Sequence, residues 1–216
     1  EISLGLVGSE MCIRDSILIG CIGLSKGKVQ TKEEFLALCL LVATIPAILV
    51  GSMLHMGGFD VLLRDNIGLI GTAMIIFGIV LWWSDRNTHS NKSIQDWTLK
   101  EALIIGLYQT IALIPGTSRS GITITGARLM GYKREEAVRL SMLMAIPVII
   151  AAATLGAIDA AKSANFALLR DGAIAAFFAA ISAFIALALM MRWLRRVNFT
   201  PYVIYRIVFG AFLIIF

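Results

Sequence analysis

Nine consecutive residues, Pro115-Gly116-Thr117-Ser118-Arg119-Ser120-Gly121-Ile122-Thr123, gather four hydroxyls around one permanent cation inside an otherwise apolar chain. Burying such groups among apolar helices costs several kcal/mol unless they meet partners, so an ionisable residue in this setting reads first as a functional site. The chemistry that fits is anion binding, and specifically phosphate. Arginine supplies a planar fork matched to phosphate oxygens, and the N-terminus of a helix supplies unsatisfied N–H donors. Pro115 and Gly116 make a turn, and Thr117 or Ser118 then caps a second helix, leaving the N–H groups of residues 119 to 121 at the tip. Thr123 lies on the helical face of Arg119, and Ser120, three residues before it, is close enough to share a ligand. Gly121, Thr125 and Gly126 allow close helix approach. The structural alternative is that the hydroxyls merely cap the helix and the arginine reaches headgroups. No Gly-Lys-Ser/Thr ending follows, which argues against a nucleotide P-loop.

The elements that must position this cluster are membrane helices. Of 216 residues 58% are apolar and 15% charged, with mean hydropathy +0.85. That is more apolar and less charged than soluble domains. Uncharged runs at Phe35–Leu54, Ile67–Trp83, Leu140–Ile158 and Gly172–Met191 each approach the roughly 20 residues that cross a bilayer. A fifth candidate, Phe199–Phe216, carries only Arg206. Pro46 bends the first run, and Trp82-Trp83 ends the second at interfacial depth. Net charge is +5, but the basic residues lie in short loops, which the positive-inside rule explains without nucleic acid.

Glu101–Ile114 provides fourteen residues before Pro115, about 21 Å of helix at ~1.5 Å per residue, too short to cross comfortably. Ser118–Gly131 follows with similar length. Residues 101–131 therefore read as a re-entrant helical hairpin with the polar motif as its turn. If the hairpin returns to the side it left, Lys26, Lys28, Lys32, Arg86, Lys92, Lys100, Lys133, Arg134, Arg192, Arg195 and Arg196 share one side. Only Arg64, Lys162 and Arg170 face the other. That asymmetry makes the basic side cytoplasmic and points the hairpin tip outward.

The polar segment Ser84–Lys100 and the stretch His55–Asn66 read as loops, placing both histidines, His55 and His89, outside helices. Cys12, Cys21 and Cys39 lack metal-type spacing and read as packing residues. Gln109, two turns before the hinge, can donate to phosphate or to the carbonyls of the broken helix. Arg206, with Tyr205, is expected at headgroups rather than in a cavity, and Arg139 as a helix-end charge. Residues 1–16 mix charge, glycine and sulfur without period and resemble translated adapter read-through. They are expected to be foreign, with residues 17–216 forming a single transmembrane domain.

The motif, preceded by Gln109 and followed by Gly126 and Met130-Gly131, closely resembles the second signature of bacterial undecaprenyl-pyrophosphate phosphatases of the bacitracin-resistance type. Ile45-Pro46-Ala47, Ala145-Ile146-Pro147 and Phe199-Thr-Pro-Tyr-Val-Ile-Tyr-Arg206 sit where that family has similar pieces, so the resemblance covers about residues 25–216. It implies an all-α polytopic bundle with two re-entrant hairpins related by an inverted repeat. It also implies a phosphatase releasing the monophosphate carrier lipid for peptidoglycan synthesis in the bacterial inner membrane. By the resemblance, Arg119, Ser118, Ser120 and Thr123 are the catalytic set, and Gln109, Gly116, Thr117 and Gly121 contact substrate. A divalent cation, Mg2+ or Ca2+, is implied as cofactor, the lipid pyrophosphate as partner, and a homo-oligomer is compatible. The family's first signature, a Glu-containing segment leading to Pro-Val-Ser-Ser-x-Gly-His, is absent. Glu10 and Asp15 lack its flanking pattern, so no metal ligand is assigned and the chain by itself is expected to be inactive. The competing readings are a transporter or flippase for an anionic lipid, which would use a broken helix in the same way, and an inactive fragment.

Overall fold

The computed structural model describes residues 31–58, 65–87, 91–162, 166–194 and 198–215. Residues 1–30, with Cys12, Cys21, Glu10 and Asp15, and the segment holding His89 lie outside the described residues, as do Arg64, Arg195 and Arg196. The described chain is all-helical. In order it forms α1 (Lys32–Met56), α2 (Ile67–Asn87), a single 3-10 turn (Ile94–Asp96), α3 (Leu99–Ile111), α4 (Arg119–Leu129), α5 (Arg134–Lys162), α6 (Phe166–Leu194) and α7 (Thr200–Ile215).

Local chemistry sets where the helices start. Thr31 caps α1 and Thr98 caps α3, each with a glutamate three residues on that returns to the cap N–H. The four uncharged runs fall within α1, α2, α5 and α6, and the fifth candidate coincides with α7. Two boundaries differ from the sequence expectation. Helix α1 continues through Met56, so His55 lies in its last turn. Helix α2 continues to Asn87, so Ser84 and Asp85 are buried helix-end residues rather than loop. At the end of α2, buried partners carry the helix beyond the apolar run, whereas the last turn of α1 is exposed.

Helices α3 and α4 form the hairpin, against which α1, α2 and α5 pack. Eight successive residues of α4, Gly121–Arg128, are buried, although this is the most polar of the long segments. Much apolar surface also lies outward: Leu41, Ile45, Leu49, Ile76 and Trp83 on α1 and α2 are exposed, as is every residue from 171 to 186 on α6. An apolar exterior around a polar hairpin is the arrangement of a protein whose solvent is lipid.

Close backbone contacts hold the hairpin in place. Helix α3 runs parallel to α1, with Ala43 beside Gly106 and Leu113 beside Gly51; a Cβ on Gly106 would stand 2.4 Å from the Ala43 carbonyl oxygen. Helices α2 and α7 pair antiparallel through Gly71 and Gly210, whose Cβ positions would lie 2.6 and 2.7 Å from each other's carbonyl oxygens. Such small-residue seams let van der Waals packing substitute for the hydrophobic effect in lipid.

The two ends of the hairpin are tied at one end of the bundle. Arg128 near the end of α4 donates to Asp85 O at 3.0 Å and to Tyr132 O at 2.8 Å, and its Nε stands 3.3 Å from Asp85 Oδ1. Arg134 at the start of α5 donates to the same carboxylate at 2.7 Å. Tyr132 donates to Glu101 Oε2 at 2.9 Å, and Lys92 pairs with the other oxygen. The starts of α3 and α5 and the ends of α2 and α4 thus meet in one polar network. The hairpin leaves and returns on the side of Arg86, Lys92 and Arg134.

Candidate active site

The site is built at the opposite end of the hairpin. Helix α3 stops at Ile111, and Leu113, Ile114 and Thr117 close successive turns onto Thr110, Ile111 and Ile114 carbonyls. Pro115 has no N–H to continue the helix. Gly116 adopts φ +90°, and a Cβ there would stand 2.3 Å from the Ile70 carbonyl oxygen on α2, so both conformation and space demand glycine. Ser118 follows at φ +68°, a left-handed conformation rare for a residue with a side chain. Backbone strain of this kind concentrates at binding and catalytic sites.

Ser118 is the cap of α4. Its Oγ accepts the Gly121 N–H at 3.2 Å, so of the three tip donors anticipated from sequence, residue 121 is already used while those of 119 and 120 head the helix. The same Oγ lies 3.4 Å from Ser120 Oγ and 3.1 Å from the Tyr202 phenol of α7. Ser118, Ser120 and Gly121 are therefore brought together. Thr123 is fully buried and faces elsewhere: its hydroxyl lies 2.9 Å from Arg119 O, 3.2 Å from Ser120 O and 2.8 Å from Ser141 Oγ on α5. Its observed partners tie α4 to α5.

Arg206 departs from the sequence expectation. It is 2% exposed and does not reach headgroups; Nη2 donates to Gly116 O at 2.7 Å and Thr117 O at 2.8 Å. Breaking the helix at the tip orphans those carbonyls, and one buried guanidinium satisfies both. Tyr205, its expected companion, is 60% exposed, and Tyr202 is the tyrosine beside the guanidinium, 5.9 Å from ring centre to Cζ. Tyr202 and Arg206 are the tip residues that sequence reasoning missed, and Ser141 is the missed partner of Thr123 behind it. The one available signal was that a lone arginine in an apolar helix is a site candidate wherever it occurs.

Several polar atoms around the tip are buried without a hydrogen-bond partner: Gln109 Nε2 and Oε1, Thr117 Oγ1, Arg119 Nη1 and Arg206 Nη1. The role foreseen for Gln109 on the freed helix carbonyls is not taken up by its side chain, which is 3% exposed and makes no hydrogen bond. Buried orphan donors each cost about 1–3 kcal/mol, so a concentration of them, two on arginines, marks a place prepared for an acceptor-rich ligand. Neither Arg119 nor Arg206 has a carboxylate partner among the described residues, whereas the ion pairs of Asp85, Glu101 and Glu136 lie toward the other end or on α5. Among the described residues, the two arginines of the tip thus have no carboxylate counter-charge.

The described residues gather no cluster of three or more His, Cys, Asp or Glu side chains that could hold a metal ion. Cys39 is buried in the core, as a packing residue.

Comparison with known proteins is consistent in every direction. Residues 11–212 match the model of the family described as bacitracin resistance protein BacA. The chain is 54% identical over 192 residues to an undecaprenyl-diphosphatase of Dinoroseobacter shibae, covering 89% of this chain and 72% of that protein. It is 54% identical over 188 residues to one of Ruegeria pomeroyi (87% and 70% covered). It is 40% identical over 214 residues to undecaprenyl-diphosphatase 1 of Rhodospirillum rubrum (98% and 75% covered). A partly buried, strained hairpin tip carrying Arg119 and held by Arg206, in a lipid-facing helix bundle, and these matches converge: the chain belongs to the bacitracin resistance protein BacA family of membrane proteins.

Proposed function

We propose that this protein is a membrane phosphatase that hydrolyses undecaprenyl pyrophosphate to undecaprenyl phosphate and so recycles the lipid carrier for peptidoglycan synthesis. The observation that carries the reading is the α4 N-terminus: two arginines without a carboxylate partner among the described residues, unused donors and the partly buried Ser118–Ser120 hydroxyl pair at one end of the hairpin. Hydrolysis adds water to the terminal phosphorus and breaks its bond to the bridging oxygen, releasing inorganic phosphate and the lipid monophosphate. Preorganised donors and guanidinium charge stabilise the negative charge that spreads over the phosphoryl oxygens. Arg119 would hold the pyrophosphate, and Ser118 and Ser120 would orient it. Thr123, through its bonds to the Arg119 and Ser120 carbonyls, would hold the first turn of α4 in shape.

The proposal includes Mg2+ or Ca2+ as cofactor. The described residues supply no ligand set for it, so no step is routed through the ion. It also includes a multi-pass arrangement in the bacterial inner membrane with the Lys92 end cytoplasmic and the tip toward the outer side, supported by the basic residues collected at the hairpin mouth. The transporter reading is not favoured, because the matched relatives are named as diphosphatases.

The test is phosphate release from undecaprenyl pyrophosphate by the reconstituted full-length protein, with the family's first signature present. Replacing Arg119 with Ala is expected to lower turnover by about 10²–10³-fold, the cost typical of removing one preorganised charge-stabilising donor. Undiminished turnover would sink the assignment.

A further inference from the structure

We infer that Arg206 of α7 is a second pyrophosphate-binding residue, with the two amino groups of one guanidinium doing different jobs. This rests on the proposed phosphate chemistry and adds a ligand that comes from outside the hairpin motif. The Nη2 end is committed to protein: it donates to the Gly116 and Thr117 carbonyls at 2.7 and 2.8 Å and locks the tip. The Nη1 end is buried and makes no hydrogen bond of ordinary geometry, with the Tyr202 phenol beside the same guanidinium.

Its position is set by what is missing on α4. A Cβ built on Gly121 would stand 2.9 Å from Arg206 Nη1 and 3.3 Å from Ser118 Oγ. The absent side chain is what admits this guanidinium edge to the first turn of α4, beside the hydroxyls of Ser118 and Tyr202, which are 3.1 Å apart. A purely structural arginine in a residue only 2% exposed would be expected to spend both amino groups on protein acceptors, since an orphaned buried donor is costly. Nη1 instead faces the N-terminus of an eleven-residue helix, where N–H donors and the helix dipole already favour an anion. Arg119 is the first residue of the same helix, so α4 and α7 each bring an arginine to this end of the hairpin. A pyrophosphate, with oxygens on two phosphoryl groups, is the ligand class that can use several such donors. Gly121 thus serves the site by having no side chain, and α7 becomes part of the site rather than a lipid-facing strut.

Two variants separate this role from tip-locking. Gly121→Ala sets a methyl against Nη1 while leaving the Nη2 bonds to the tip available. Arg206→Lys keeps the charge but cannot serve the carbonyls and the ligand together. Binding of inorganic pyrophosphate to the purified protein in detergent is measured by titration calorimetry, with thermal unfolding as the fold control and turnover of undecaprenyl pyrophosphate as a separate arm. Both variants are expected to unfold within a few degrees of the parent and to bind pyrophosphate at least tenfold more weakly. Pyrophosphate affinity within twofold of the parent in both folded variants would overturn the inference, as would failure of the parent to bind pyrophosphate. A parent that binds pyrophosphate in an Arg206-dependent way but releases no phosphate from the lipid would uphold the inference and refute the hydrolytic reading.

Discussion

At the scale of single residues the tip is an exercise in what must be left over. Ser118 at φ +68° spends its Oγ on the Gly121 N–H and still lies within reach of Ser120 and Tyr202. Replacing Ser118 with Ala keeps the strained backbone and removes the cap, so unfolding is expected to become easier by about 1 kcal/mol, read from denaturant or thermal melts in detergent. Gly116 is less forgiving. Its φ of +90° and the 2.3 Å separation from the Ile70 carbonyl mean that Gly116→Ala must displace the tip. Turnover is then expected to fall by about tenfold or more even where the protein still folds, because small misplacement of positioning groups is costly. The motif's residue types were legible as phosphate chemistry from sequence because few apolar helices tolerate an arginine among hydroxyls. The division of labour was not. Nothing in the spacing says that Thr123 turns to Ser141, eighteen residues on, while Ser118 meets Tyr202, eighty-four residues on.

At the scale of elements, the hairpin is held at its mouth by charge and along its length by close backbone contact. Asp85 serves Arg128 and Arg134 together, with the Asp85 and Arg128 side chains each 4% exposed. Asp85→Asn leaves a buried guanidinium without its counter-charge and is expected to cost about 3–5 kcal/mol, seen as a lower melting temperature in detergent. The sequence suggested the hairpin from two segments too short to cross and from the loop charges. It placed Asp85 in a loop, since a helix end that buries a carboxylate shows no apolar period. Only the arrival of Arg128 and Arg134 at that place accounts for its burial. A smaller effect belongs to the 3-10 turn outside the hairpin. The Ser93 N–H and hydroxyl hold the Asp96 carboxyl below its ordinary range. A carboxylate with a depressed folded pKa contributes stability that is present above its unfolded value and lost as pH falls through the folded one. The melting temperature should therefore decline slightly as pH drops below about 4, and Asp96→Asn should flatten that decline.

At the scale of the whole molecule, exposed apolar side chains cover outer helix faces around an interior that holds both an apolar core and the polar hairpin, and basic residues lie at the hairpin mouth. The orientation proposed from them is open to a direct measurement. A cysteine placed at Gly58, beyond the end of α1, should react with an impermeant maleimide added outside spheroplasts, and one at Lys133 only after permeabilisation. The reverse pattern would invert the orientation. By itself the sequence determined the solvent, the helices and the anion chemistry. Hydropathy, proline and caps act locally, and a charged cluster in an apolar chain is conspicuous wherever it falls. The tertiary structure decided which distant groups complete the tip: Arg206 closes on the Gly116 and Thr117 carbonyls across ninety and eighty-nine residues of chain. Whether a lone arginine in an apolar helix reaches outward to headgroups or inward to orphaned carbonyls depends on which helix packs beside it. Here the glycine seam between α2 and α7 sets that choice by holding α7 against the hairpin tip.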